Sequence, residues 1–159
     1  MQEEKFKVLF DLIHDIQDSY IKASEKEKSF YQTIVGAAIF YLPTNKETFS
    51  GLISESALLI PKNKWVKEHS YPRKIASKNL LENPPQTISD LKNVFYTKFG
   101  IWNYVTKKEN SDLRKYQKIH NFQSPEVSYQ LANIKLVKKP PWVQKFEKKL
   151  GNIKRDLDI

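Results

Sequence analysis

Between positions 3 and 22 the apolar residues Phe6, Leu9, Phe10, Ile13, Ile16, Tyr20 and Ile21 recur at three- and four-residue intervals. Only an α-helix turns that period into one continuous face, and the face must be buried against something else. The next segment repeats the pattern. Ser24 and Glu27 form a capping box, and Phe30, Ile34, Ala37, Ala38 and Tyr41 follow at helical spacing, predicting a second helix from 25 to about 41 that Pro43 ends. The β-branched and aromatic content of Thr33 to Leu42 offers a rival, a buried strand. His14 lies beside the first stripe; no second ligand pairs with it in sequence, so it reads as a partly exposed helix-surface histidine.

Beyond Pro43 the pattern becomes mixed. Pro43, Gly51 and Pro61 punctuate a segment in which the apolar run Ala57 to Ile60 suggests a strand. Lys64 to Ser70 alternates and reads as a short strand emerging toward the surface. Arg73 to Leu81 is helical in pattern and is broken by Asn83-Pro84-Pro85. Ser89 is a good N-cap for a helix burying Leu91, Val94, Phe95 and Phe99 and stopping at Gly100, after which Ile101 to Val105 reads as a strand. Thr106 and Glu109 form another capping box, opening a helix through Leu113, Tyr116 and Gln117 that fades by His120. A helix-like or mixed stretch runs from Ser124-Pro125 to Val137. Lys138 to Pro141 is a stiff connector to a basic amphipathic helix carrying Trp142 or Val143, Phe146 and Leu150 on one side. The expected architecture is α+β, mostly helical, with a small β-hairpin, in a single domain over 1–159 whose residues 138–159 form the basic C-terminal helix.

The chain has 159 residues, enough to bury a core. It carries 27 Lys and Arg against 18 Asp and Glu, a formal charge of +9, which favours a polyanionic partner such as nucleic acid without naming it. The longest apolar run, Ile34 to Leu42, is far short of the roughly 20 residues that span a bilayer, so no membrane is expected. The start Met-Gln-Glu-Glu has no basic-then-apolar leader, which reads as cytoplasmic. There is no cysteine, so disulfides, thiolate nucleophiles and Cys-based zinc knuckles are excluded. Four glycines leave little room for a phosphate-cradling loop, and no Walker or Gly-x-Ser-x-Gly pattern is present.

The chemistry-bearing residues gather in the second half. Glu68-His69 closes a β-like run and is followed by Ser70-Tyr71-Pro72-Arg73; Asn110 falls just inside the helix that Thr106 opens. Hydrolysing a phosphodiester needs an activated water, charge stabilisation on the phosphate and help for the leaving oxygen. A histidine near its ordinary pKa of about 6.5 takes a proton from water at neutral pH. A Mg²⁺-like ion on a carboxylate and an amide oxygen would neutralise the phosphate. Neighbours on a strand point to opposite sides, so Glu68 and His69 could serve one site only if the chain twists or bends, as Pro72 allows.

The Glu-His-x-x-Pro-Arg pattern, with the strand-to-helix passage Val105-Thr106-Lys107-Lys108-Glu109-Asn110, resembles the HNH, or ββα-metal, endonuclease superfamily over residues 57–121 at most. The resemblance implies a ββα-metal-like core, Glu68 and Asn110 as ligands of one divalent cation, Mg²⁺ by preference, and His69 as general base. A second alignment makes Asn110 the loop-bracing residue and His120 the terminal ligand. One helix would separate those two by about 15 Å, so they cannot share a site, and the capping box favours Asn110. The family's middle asparagine would be Asn93 or Asn103. Residues 73 to 100 are an insertion longer than the family's usual loop.

Arg73 is placed to clamp the scissile phosphate, and Lys62, Lys64, Lys74, Lys107, Lys108 and Arg114 to hold the backbone of DNA, in preference to RNA. A two-fold symmetric target would go with a homodimer. The expected activity is metal-dependent endonucleolytic hydrolysis of DNA, of the restriction, intron-encoded or phage type. The alternatives are a non-catalytic basic nucleic-acid-binding module, clamping through Trp142, Phe146 and the lysine tail, and a phage-defence interaction protein. In either, Glu68-His69 is an exposed ion pair at a strand end, and Asn110 and Asp112 are first-turn helix residues favouring the dipole.

Overall fold

The computed structural model describes residues 2–42, 46–119 and 121–140. Two helices open the chain, α1 (Gln2–Lys22) and α2 (Glu25–Phe40). The turn between them is fixed by the Ser24–Glu27 box: Ser24 N–H donates to Glu27 Oε2 at 2.8 Å, and Glu27 N–H donates to Ser24 Oγ at 3.4 Å. Helix wins over strand at Thr33 to Leu42 because α2 has a partner for its face. Val35 and Ile39 pack with Phe6, Leu9 and Ile13 of α1 and with Ala76, Leu80 and Leu81 of α4 (Arg73–Glu82). Each large side chain buried there contributes about 1.5–3 kcal/mol.

The rest is built round one sheet. Strand β1 (Phe49–Ser54) is followed by a single helical turn, α3 (Glu55–Leu58), then by β2 (Trp65–His69), α4, α5 (Ile88–Val94), β3 (Trp102–Thr106), α6 (Lys107–Ile119), α7 (Pro125–Leu131) and β4 (Leu136–Lys138). The strand order is β2-β3-β1-β4, with β1 parallel to β3 and the outer pairs antiparallel. The fold is α+β and mostly helical, with a four-stranded sheet where a hairpin was expected. No described helix is long and apolar enough to cross a membrane.

Three local expectations are corrected. The apolar run at Ala57 to Ile60 is no strand: Ser54 caps a helical turn by accepting from Ala57 N–H at 3.1 Å, and the Trp65 indole donates to the carbonyls of Ala57 and Ile60. The strand lies earlier, at Phe49–Ser54, where the register against β3 shifts between Phe49 and Ile53 across Gly51 at φ +82°. Glycine makes that bulge possible at low strain. The cap of α5 is Thr87 rather than Ser89, because Asp90, three residues on, completes a box with Thr87. Lys138 closes β4, and residues 141–159, with the proposed basic helix, lie outside the described residues.

A π-helical turn, Phe95–Phe99, extends α5, and Gly100 N–H closes it on Phe95 O at 2.7 Å. A Cβ on Gly100 would stand 2.8 Å from the Phe95 ring and 2.9 Å from its carbonyl oxygen, and that ring is fixed in the helical core. Gly100→Ala is therefore expected to cost about 1–3 kcal/mol, read as a lower denaturant midpoint with unchanged slope. An unchanged midpoint would mean that the turn yields freely.

Candidate active site

β2 is an edge strand, and its register with β3 is regular: Glu68 faces Asn103 and His69 faces Trp102. Successive side chains on β2 leave the sheet on opposite faces. A cleft of about 640 Å³ runs along this open edge, between α6 and the corner where the end of α2 meets the start of α4. Glu68 and His69 both line it. The chain bends directly after these two residues, at Ser70 and Tyr71, and Pro72 lines the same cleft.

Helix α6 follows β3 directly. Its start is set as expected, with Thr106 N–H donating to Glu109 Oε2 at 2.8 Å and Glu109 N–H to Thr106 Oγ1 at 3.1 Å; Ser54 Oγ adds a bond to the same carboxylate at 2.7 Å. That start puts Asn110, Leu113, Arg114 and Gln117 on one face, at the i, i+3, i+4 and i+7 spacing, and all four line the cleft. From the opposite corner come Pro72 and Arg73, and Lys67 comes from β2. Glu68, His69, Arg73, Asn110 and Arg114, five of the sequence-derived candidates, therefore meet in one place.

The other candidates do not line it. Lys62 and Lys64 form the 3-10 turn ahead of β2; Lys74 donates to Ser29 Oγ at 2.9 Å; Lys107 is exposed on the first turn of α6; Lys108 pairs with Asp112 at 2.7 Å. His120 is outside the described residues. Lys67, by contrast, was not among the expected cations, although strand alternation places it on the same side as His69. His14 is exposed, as expected, with Nε2 2.9 Å from Pro85 O.

Glu68 is not an exposed ion pair. It is 5% exposed, and its Oε2 accepts from the Tyr129 hydroxyl. Tyr129 in turn accepts from Asn103 Nδ2 at 2.7 Å; the same amide nitrogen donates to Ser70 Oγ at 2.9 Å, and Ser50 Oγ donates to Asn103 Oδ1. One hydrogen-bond network, buried except at Ser50, thus ties β1, β2, β3 and α7 together behind the carboxyl group. Asn103, 1% exposed, is its hub, while Asn93 is exposed on α5. Of the two asparagines, only Asn103 braces the Glu68-His69 segment, through the side chain of Ser70.

Tyr129 was missed. It belongs to the buried face of α7 with Pro125 and Ser128, and the only sequence signal was the Ser124-Pro125 helix start, which gives its face but not its partner 61 positions away.

Burial pushes the Glu68 carboxyl up to about 7, against the opposing bonds from Tyr129 and Asn103 and the charge of Arg114. Burial also raises the Tyr129 phenol, so it stays protonated and donates. His69 is held below the ordinary imidazole value, first by burial and then by the charges of Arg73 and Lys67, so its neutral form prevails at pH 7.

No cluster of three His, Cys, Asp or Glu side chains that could hold a metal occurs among the described residues. A cation here would have one carboxylate and one amide oxygen from the protein and would take its other ligands from water and phosphate. That donor set suits Mg²⁺, which keeps several waters and binds through one or two carboxylates plus substrate phosphate. Comparison with protein families, with curated proteins and with solved structures returns no match.

Proposed function

We propose that this cleft hydrolyses phosphodiester bonds in DNA, with His69 as general base and Glu68 and Asn110 as the residues that hold one divalent cation. The observation that carries the reading is the meeting of Glu68, His69 and Asn110 in a cleft that also holds Lys67, Arg73 and Arg114. The order β2, β3, α6 supports the likeness to a ββα-metal core: two antiparallel strands and the helix that follows the second. Bound there, the cation would supply charge neutralisation at the phosphate and the departing oxygen.

The chain's own groups do the rest. Neutral His69 accepts a proton from the attacking water. Arg73, whose guanidinium stacks 4.4 Å from the Phe40 ring centre, and Arg114 hold phosphate oxygens, an arrangement that positions the backbone and reads no bases. Glu68 is kept in place by Tyr129. Groups that orient a ligand typically account for about 10–100-fold in metal affinity or activity. Tyr129→Phe is accordingly expected to weaken Mn²⁺ binding, followed by calorimetry, by about that factor. Unaltered Mn²⁺ affinity would detach the network from the site.

The reading is tested with purified protein on supercoiled plasmid and on circular single-stranded DNA. Nicking or linearisation is expected with Mg²⁺ or Mn²⁺ and not with EDTA. Salt-dependent DNA binding without cutting under any divalent cation would favour the non-catalytic module instead.

A further inference from the structure

We propose that the cleft receives an unpaired nucleotide of single-stranded DNA, its base stacked against the exposed ring of Phe40. The inference rests on the DNA-cleaving reading above and narrows its substrate. Phe40 is the last residue of α2, lines the same cleft as His69, and is nonetheless 56% exposed. The Arg73 guanidinium lies 4.4 Å from the ring centre, and more than half of the residue is still open to solvent. Tyr41, 68% exposed, stands against it edge to face, with ring centres 5.4 Å apart and planes at 79°. Phe40 thus gives the cationic cleft an exposed aromatic shelf, with Tyr41 packed beside it.

The chemistry of the shelf and that of the cavity select the same occupant. Among the described residues lining the cleft, Lys67, Arg73 and Arg114 are cations, and the only carboxylate, Glu68, is buried under Tyr129. That balance suits a polyanion and disfavours an apolar peptide or a second copy of this basic chain. In a duplex the base faces are already stacked on one another, so only phosphates and sugars would reach the cavity and Phe40 would stay in water. An unpaired nucleotide offers both a phosphate for the arginines and a free π-face for the ring. Stacking of this kind tolerates any base, so the shelf sets strandedness and not sequence.

The test uses a fluorescently labelled 12-nucleotide oligo-dT and a blunt 12-base-pair duplex, with binding followed by anisotropy in EDTA for the full-length wild type, Phe40→Ala and Phe40→Trp. Because Phe40 is exposed, both variants should keep the wild-type circular dichroism; the tryptophan variant guards against a folding defect. Expected are tighter binding of the single strand than of the duplex, a loss of about 5- to 150-fold for the single strand in Phe40→Ala, duplex binding within about twofold, and retained single-strand binding in Phe40→Trp. Equal losses on both probes, no loss on either, or a concentration-dependent dimer abolished by Phe40→Ala would overturn the proposal. The two readings fail separately. Metal- and His69-dependent cutting that is indifferent to Phe40 removes the stacking shelf alone, and Phe40-dependent strand binding with no cutting removes the nuclease alone.

Discussion

His69→Ala is expected to lower the single-turnover rate of DNA cleavage by about 10²–10⁴-fold, the usual contribution of a positioned general base. DNA affinity should change little, because the cleft keeps the charges of Lys67, Arg73 and Arg114. The environment of His69 adds a pH signature. Burial and the neighbouring charges of Arg73 and Lys67 hold its pKa below 6.5, so the base stays unprotonated into mildly acid solution. With the divalent cation saturating, so that Glu68 stays ionised, the acid limb of kcat/KM should therefore fall below pH 6.5, and Arg73→Gln, which removes one of those charges, should move it upward. A His69→Ala protein that cuts at the wild-type rate would take the imidazole out of the chemistry.

The second large effect concerns stability without metal. The Glu68 carboxyl has a pKa near 4.5 in the unfolded chain and about 7 when folded. The folded state therefore binds the proton more tightly, and the contribution to stability is fully present below pH 4.5 and lost as the pH rises through 7. A rise of that size corresponds to about 3 kcal/mol. The depressed imidazole of His69 acts in the opposite sense below pH 6.5, so the quantity to measure is the difference between wild type and Glu68→Gln, whose amide does not titrate. In urea unfolding with EDTA, that difference should decline by about 3 kcal/mol between pH 4 and pH 8. At pH 8, Mn²⁺ should restore about 2.7 kcal/mol to the wild type at a hundredfold excess over its dissociation constant, and much less to Glu68→Gln. A flat difference would mean that the carboxyl is not desolvated as the fold implies.

What was legible in the sequence was local. Capping boxes at Ser24–Glu27 and Thr106–Glu109 set helix starts to the residue, since both partners lie within one turn. Alternation gave β2, and the helix start at Thr106 put Asn110 on the side that faces Glu68 and His69. Where two local signals competed, the structure was decided by groups outside the window. The Ala57 to Ile60 run became a turn because Ser54 caps it and Trp65 reaches back to its carbonyls, and β1 was obscured by the glycine its bulge requires. The burial of Glu68 was not legible at all. It depends on Tyr129 and Asn103, brought in from α7 and β3, and no periodicity connects them to the end of β2.

The central claim is that Glu68, His69 and Asn110 surround one cation, and crystals of the protein soaked in Mn²⁺ test it most directly. The account predicts an anomalous difference peak in the cleft at about 2.0–2.6 Å from a Glu68 carboxylate oxygen and the Asn110 amide oxygen, with the His69 ring beside it, and no such peak in Glu68→Gln. A peak elsewhere on the molecule, or none at saturating Mn²⁺, would contradict it.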